Sequence, residues 1–279
     1  MAATILGVTP ALRVERTGPR GVVARVVLAR PDVRNAFDAE LVGALRATFA
    51  ALAREAPTDL RAVVLAADGP VFSAGADLRS MLAAAELGVE ANEQDALAIA
   101  EMLGAIDACP VPVVARVHGA ALGGGVGLCA VADVVVAESG TRFGFSEVRL
   151  GLLPAVIAPF VVAKIGESEA RTLFVTGRRF DALRAQRIGL VHEVVEGEAA
   201  LDAAVTGVVD DILAGGPTAV RAAKAIVREV RGLGAGSAHW HTARVLARQR
   251  ASAEAQEGIR AFLDGRRPSW AAEDGGGHR

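Results

Sequence analysis

Two stretches of this chain place glycine where backbone N–H groups can do chemistry: "FSAGADL" at 72–78 and "LGGGVGL" at 122–128. Each reads as a strand, a turn at glycine and the start of a helix, the first helix beginning around Ala76. The first turn of a helix leaves N–H groups without intrahelical acceptors, and the helix dipole favours negative charge there. Without side chains in the way, a carbonyl oxygen can approach such a backbone closely, and charge developing on it is stabilised as in an oxyanion hole. Two turns, each giving one N–H, supply the donor pair that an enolate needs. Glycines also permit close packing of helix on strand, so the run at 122–128 alone fits either use.

Spacing excludes other uses of these residues. A dinucleotide fingerprint beginning at Gly123 would need a sixth-place glycine where Leu128 stands, and no GxxxxGK[ST] phosphate loop occurs. Ser73 lacks the flanking glycine of a GxSxG nucleophile elbow. His239 and His241 lie two apart in a helical region and do not share a face, which argues against a metal pair. His118 reads mainly as a structural residue. Cys109 and Cys129 fall in no CxxC or metal-ligand spacing and read as small buried hydrophobes. No metal or redox cofactor is expected.

The elements that must position the two turns follow from local signals. The chain has 279 residues, 52% hydrophobic and 22% charged, which is enough to bury a sizeable core. "LRVERT" and "GVVARVVLAR" around "GPR" read as a hairpin, and Asp38 as the cap of a helix carrying Leu41, Leu45, Phe49 and Leu52 on one face. A strand, "LRAVVLAA", follows, and then helix from Met81 to Asp107 with a break near Gly88. Strand, strand, helix recurs about three times, which suggests stacked supersecondary units more than a strict βαβ sheet. Beyond residue 197 the chain turns helical, Pro217 opening one helix and "HWHTARVLARQRASAEAQEGIRAFLDG" forming one long last helix.

Lysine and arginine number 30 against 32 aspartates and glutamates, a net charge of −2 that gives no general attraction to nucleic acid or an anionic membrane. The longest apolar runs contain prolines and fall short of the ~18–20 residues of a membrane span. The N-terminal stretch lacks the basic start and apolar core of a secretory signal, so a cytoplasmic protein is expected.

Taken together and in order, "ARPDVRNAF", "FSAGADL", "VHGAALGGGVGL", "FGFSEVRLGLLP" and "GLVHEVV" resemble the enoyl-CoA hydratase/isomerase (crotonase) superfamily from about residue 12 to about 266. The resemblance implies an α/β fold: a ClpP-like spiral of strand–strand–helix units over 1–197, then a helical oligomerisation region over 198–279 that packs in homotrimers or homohexamers. It implies an acyl-CoA substrate and no cofactor beyond the coenzyme A thioester itself. The N–H groups of Ala76 and Gly124 would form the oxyanion hole, with Glu147 as the catalytic acid–base. Arg34 would contact a CoA phosphate, although an ordinary solvated arginine explains it equally, Ala36, Ala74, Asp77 and Leu78 would line the CoA channel, and Gly123, Gly127 and Pro154 would belong to the substrate or CoA site. Phe262 and Arg266 stand where the family's last helix contacts CoA.

The chain departs from the family's usual hydratase pattern at Gly127, where relatives carry a second acid. It departs again at Ala155, Val156, Ile157 and Ala158, which replace a glycine-rich segment and should wall the acyl pocket and raise the pKa of Glu147. "SEVRLGLLPAV" looks like the methylglutaconyl-CoA hydratase branch, which points to hydration of a branched or carboxylated 2-enoyl-CoA. Glu86, Glu90, Glu93 or Asp95 could supply a second acid, although a solvated helix face explains them as well. A lone Glu147 would also suit a Δ3,Δ2-enoyl-CoA isomerase, and a silent CoA-ester binding protein is the third reading.

Overall fold

The computed structural model describes residues 4–55, 59–86 and 88–271. Strands β1 (Thr4–Val8), β2 (Leu12–Thr17) and β3 (Val23–Leu28) pair antiparallel, which contains the expected hairpin and adds β1 to it. Asp38 accepts the Leu41 N–H at 2.9 Å and starts α1 (Ala39–Leu52), whose Leu41, Leu45, Phe49 and Leu52 are buried. After β4 (Ala62–Ala67) come α2 (Leu78–Ala85) and α3 (Val89–Asp107), separated at Gly88 where φ is +90°. The first of these begins at Leu78 rather than Ala76 or Met81, because the Asp77 carboxylate caps the Arg79 and Ser80 N–H groups.

Next follow β5 (Val113–Val117), β6 (Ala120–Leu122), α4 (Gly124–Val131), β7 (Val134–Glu138) and β8 (Arg142–Gly144). A 3-10 turn over Glu147–Leu150 leads to α5 (Ala158–Thr176), β9 (Arg179–Asp181), α6 (Ala182–Arg187) and β10 (Glu193–Val195). Helices α7 (Glu198–Ala214), α8 (Pro217–Glu229), α9 (Ala235–Arg250) and α10 (Ala253–Leu263) complete the chain.

The strands form two layers. A seven-stranded sheet has the order β1-β2-β3-β4-β5-β7-β10, parallel from β3 onward, and a small sheet has the order β6-β8-β9. Bridges between Ser73 and Ala121 and between Phe37 and Ala76 extend the small layer toward the N-terminal half. The chain crosses from large to small layer after β4, after β5 and after β7. This is the recurring unit seen in the sequence, and each crossing delivers a turn and a helix to one side of the molecule.

Period-two alternation distributes the core over both faces of the large sheet. Val63, Leu65, Val113, Ala115, Val117 and Val135 face the cluster shared with α1, α3 and α4. Ala62, Val64, Val114 and Val136 face Leu201, Val205, Val209 and Leu213 of α7. The helix directly after residue 197 therefore covers the sheet.

The expected single last helix is two helices. Ser252 is extended (ψ 152°) and its Oγ accepts the Ala255 N–H at 3.1 Å, so a serine cap restarts the helix inside an otherwise helical run. Helices α8 and α9 bury no residue and α10 buries only Ala261, while Trp240, Phe262 and Leu263 are exposed. Among the described residues, no helix is long and apolar enough to cross a membrane.

Candidate active site

The small layer brings the two glycine turns together. Ser73 N–H donates to Ala120 O at 3.1 Å and Leu122 N–H donates to Ser73 O at 2.9 Å, so the first turn lies alongside the second. Gly75, at φ +88°, is pressed so closely on the second turn that a Cβ there would lie 2.6 Å from Leu122 O and 3.1 Å from Gly124 N. Phe37 N–H donates to Gly75 O at 2.7 Å, and Asp77 N–H donates to Phe37 O at 2.8 Å. In that parallel bridge the Ala76 N–H points away from Phe37 and has no acceptor among the described residues. The Gly124 N–H opens α4 and likewise has none. Two free backbone donors on adjoining turns can hold one oxygen on which negative charge develops.

Glu147 enters from the third unit, where the chain leaves β8 in a 3-10 turn. A Cβ on Gly123 would lie 3.0 Å from Glu147 Oε1, so the carboxyl rests against the bare α-carbon next to the Gly124 donor. Glu147 is half-buried, and its Oε2 is sealed from solvent without a hydrogen-bond partner among the described residues. Burial pushes its pKa above the usual carboxylate range, opposed only by a hydrogen bond from its own backbone N–H.

A raised folded-state pKa means that the folded chain binds this proton more tightly than the unfolded chain. Stability from this group is greatest below the ordinary glutamate pKa and declines as pH rises through the window up to the folded value. Glu147→Gln should therefore match the parent in acid and unfold at a higher temperature at neutral pH. Thermal denaturation in buffers spanning that window tests this, and a variant that loses stability at neutral pH contradicts it.

Gly127 is closed off by a neighbour. A Cβ there would lie 2.5 Å from Ile157 Cγ2 and 3.6 Å from Leu103 Cδ1. Ile157 and Pro154 are buried, whereas Ala155 is exposed and Val156 is partly buried against the core. Glu86, Glu90, Glu93 and Asp95 are all exposed on α3 or the turn before it.

Other predicted residues divide between the turns and the C-terminal helices. Arg34 is exposed at φ +56° beside the first turn, and its carbonyl accepts the Ala74 N–H at 2.9 Å. Ala36 is buried in the same loop, Ala74 and Asp77 are partly buried, and Leu78 is exposed at the start of α2. Phe262 and Arg266 belong to the C-terminal end, where α10 packs on α9. Phe262 is exposed, and Arg266 is already held by both oxygens of Glu257, at 2.6 and 2.8 Å. His118 is structural: Nε2 lies 2.8 Å from Gly69 O and Nδ1 3.3 Å from Arg116. His241 faces Glu229 at 2.6 Å. Both cysteines are buried and unpaired, and burial pushes the Cys129 thiol up to about 12.

Sequence reasoning missed the residues that hold the first turn. Asn35, fully buried at φ +53°, accepts the Arg30 N–H and donates to Asp68 O at 2.9 Å and Val71 O at 3.0 Å. Ser73 Oγ donates to Asn35 O at 2.9 Å and accepts the Gly75 N–H at 3.2 Å. An asparagine tolerates the left-handed region, which is the one signal that "RNAF" carried for this role.

Strand–strand–helix units crossing between two layers, with paired free N–H groups at the turns, define the crotonase fold. The enoyl-CoA hydratase/isomerase sequence profile matches residues 19–273, and the chain belongs to that family of enzymes. Enoyl-CoA hydratase AKT6-1 of Alternaria alternata is 34% identical over 245 residues, covering 87% of this chain and 79% of its own. Enoyl-CoA isomerase/hydratase fer4 of Mycosarcoma maydis is 32% identical over 235 residues, covering 80% and 81%. The solved structure of Pseudomonas aeruginosa AtuE matches with a TM-score of 0.89 at 38% identity, covering 94% of this chain and 99% of that one.

Proposed function

We propose that this enzyme adds water across the C2=C3 bond of a 2-enoyl-CoA, and that the acyl group is branched or carboxylated. The observation that carries this reading is the Glu147 carboxyl resting on Gly123 beside the unengaged Gly124 and Ala76 N–H groups. The two N–H groups hold the thioester oxygen. Water's oxygen bonds to C3, the π electrons move into the enolate, and Glu147 gives its proton to C2 while the proton lost by water returns to Glu147. A carboxyl with a raised pKa suits both halves of that exchange at neutral pH.

Arg34, exposed and without an ion-pair partner among the described residues, is suited to a CoA phosphate, and Ala36, Ala74, Asp77 and Leu78 would border the pantetheine arm. Gly123, Gly127 and Pro154 would surround the acyl group, whose branched or carboxylated character rests on the "SEVRLGLLPAV" resemblance. The chemistry calls for no metal or redox group. The exposed Trp240, Phe262 and Leu263 would be covered in a homotrimer or a dimer of trimers, which would also bring Phe262 and Arg266 toward CoA. A cytoplasmic location fits this substrate.

Incubating the protein with straight, branched and carboxylated 2-enoyl-CoAs in oxygen-18 water tests the proposal by mass analysis. A 3-hydroxyacyl-CoA carrying the label is expected from at least one of them, and no labelled product from any overturns the reading. One observation favours a second reading: Gly127 brings no acid to the site, and moving a double bond needs only the single shuttle Glu147. The name of fer4 spans both activities. Conjugated product from a 3-enoyl-CoA, without hydration of any 2-enoyl-CoA, would select this isomerase reading.

A further inference from the structure

We infer that Phe37 is a positioning residue that sets the spacing of the two N–H donors, because its backbone holds the first turn while its side chain holds the N-terminus of the helix that carries the second donor. This rests on the oxyanion-hole reading above and extends it to a residue outside the glycine motifs. Its backbone holds the first turn through the pair of hydrogen bonds to Gly75 O and from Asp77 N–H, at 2.7 and 2.8 Å. Its ring holds the second: a Cβ on Gly124 would lie 2.6 Å from Phe37 Cε2 and 3.0 Å from Cδ2, so the ring edge sits directly on the Gly124 α-carbon. Phe37 is 3% exposed and packs within the main core.

The loop carrying Phe37 is itself fixed. Asn35 ties it to Asp68 and Val71, Ser73 Oγ ties the first turn back to Asn35 O, and the Arg30 guanidinium donates to Ala36 O at 2.7 Å. Asp38, immediately after Phe37, caps α1 and pairs with Arg30 at 2.6 Å. The ring is thus delivered from a rigid frame to the N-terminus of α4. Loss of its edge removes the side-chain contact that presses on Gly124 and so loosens how far Gly124 stands from Ala76, while both N–H groups remain in place chemically.

A displaced donor differs from a missing pocket in what it changes. An enoyl thioester conjugated to an electron-donating aromatic ring, such as 4-dimethylaminocinnamoyl-CoA, absorbs further to the red when hydrogen bonds polarise its carbonyl. The parent protein is expected to shift the bound chromophore to the red. Phe37→Leu is expected to lose half or more of that shift and to lower kcat about 100-fold, with KM changed only a few-fold. Phe37→Met, which refills most of the volume, should recover part of both.

Phe49→Leu is the control: Phe49 is equally buried in α1, belongs to neither turn, and should keep the full shift at a similar loss of thermal stability. If Phe37→Leu keeps the full shift and the parent kcat, or if Phe49→Leu loses the shift equally, the positioning role is overturned. Should Phe37→Leu fail to fold, Phe37→Met is read alone, and an unchanged shift with unchanged kcat overturns the role in the same way. A red shift in a parent that turns over no enoyl-CoA overturns the proposed reaction and leaves the positioning role standing. No red shift in the parent overturns the oxyanion-hole reading on which the role depends.

Discussion

Glu147→Gln is expected to lower kcat by about 10²- to 10⁴-fold, the range attributed to a positioned acid–base group. Glutamine keeps the size and shape that rest against Gly123 but cannot carry a proton between water and C2. The buried Oε2 has no hydrogen-bond partner among the described residues, so the substitution breaks none of their interactions on that side. KM should accordingly stay within a few-fold, because the proposed thioester donors, the Ala76 and Gly124 N–H groups, and the loop around Arg34 are untouched. Steady-state kinetics across pH provide the check. In the parent, a limb of the kcat/KM profile should lie above the usual carboxylate range, in the direction that burial moves Glu147, and it should vanish in the variant. A variant with parental kcat would remove Glu147 from the chemistry.

Gly127→Glu is expected to destabilise the protein by about 3 kcal/mol or more, because overpacking costs ~1–3 kcal/mol and a buried, unpaired carboxyl adds to that. The first atom of any side chain at 127 meets Ile157 Cγ2 at 2.5 Å. That methyl sits on a branched Cβ with few rotamers, and Ile157 is itself 3% exposed, so it has little room to yield. For a chain of this size a loss of about 3 kcal/mol corresponds to a fall in Tm of roughly 5 °C. Pairing it with Ile157→Ala should restore ~1 kcal/mol or more beyond what the single variants add up to. Thermal denaturation of the four proteins completes the cycle, and a Gly127→Glu single variant as stable as the parent would contradict the packing argument. On this account an acid cannot be returned to position 127 by one substitution.

Residues with local signals declared themselves in the sequence, and residues with distant partners did not. Asp38 before a helical pattern, the Gly-Pro hairpin and the Gly88 break were legible because their determinants lie within one or two turns of chain. Ser252 was not, because a serine cap in the middle of an alanine-rich helical pattern looks like one more helical residue. The crossing between layers depends on contacts such as Gly119 against the Pro70 carbonyl, which no local pattern contains.

The same division runs through the site. Both glycine turns were visible as turns, yet the contact of Gly75 with Leu122 and Gly124 comes only from the pairing of Ser73 with Ala121. Asn35 works on partners 33 and 36 residues away, and Phe37 reaches Gly124 across the whole second unit. Gly127 and the segment Ala155, Val156, Ile157 and Ala158 each stand out in the sequence as departures from the family's pattern. Their common cause, Ile157 filling the space over Gly127, needed the fold.

In the proposed reaction a thioester enolate is held by the Ala76 and Gly124 N–H groups while Glu147 moves a proton at C2. Hydrogen exchange at C2 of a saturated acyl-CoA in deuterium oxide measures that step alone, with no need for the natural acyl group. Butyryl-CoA incubated with the parent protein should gain deuterium at C2, detected by mass and by loss of the C2 proton signal, and Glu147→Gln should leave it unlabelled. Exchange that proceeds equally with Glu147→Gln, or no exchange with the parent, would contradict the account.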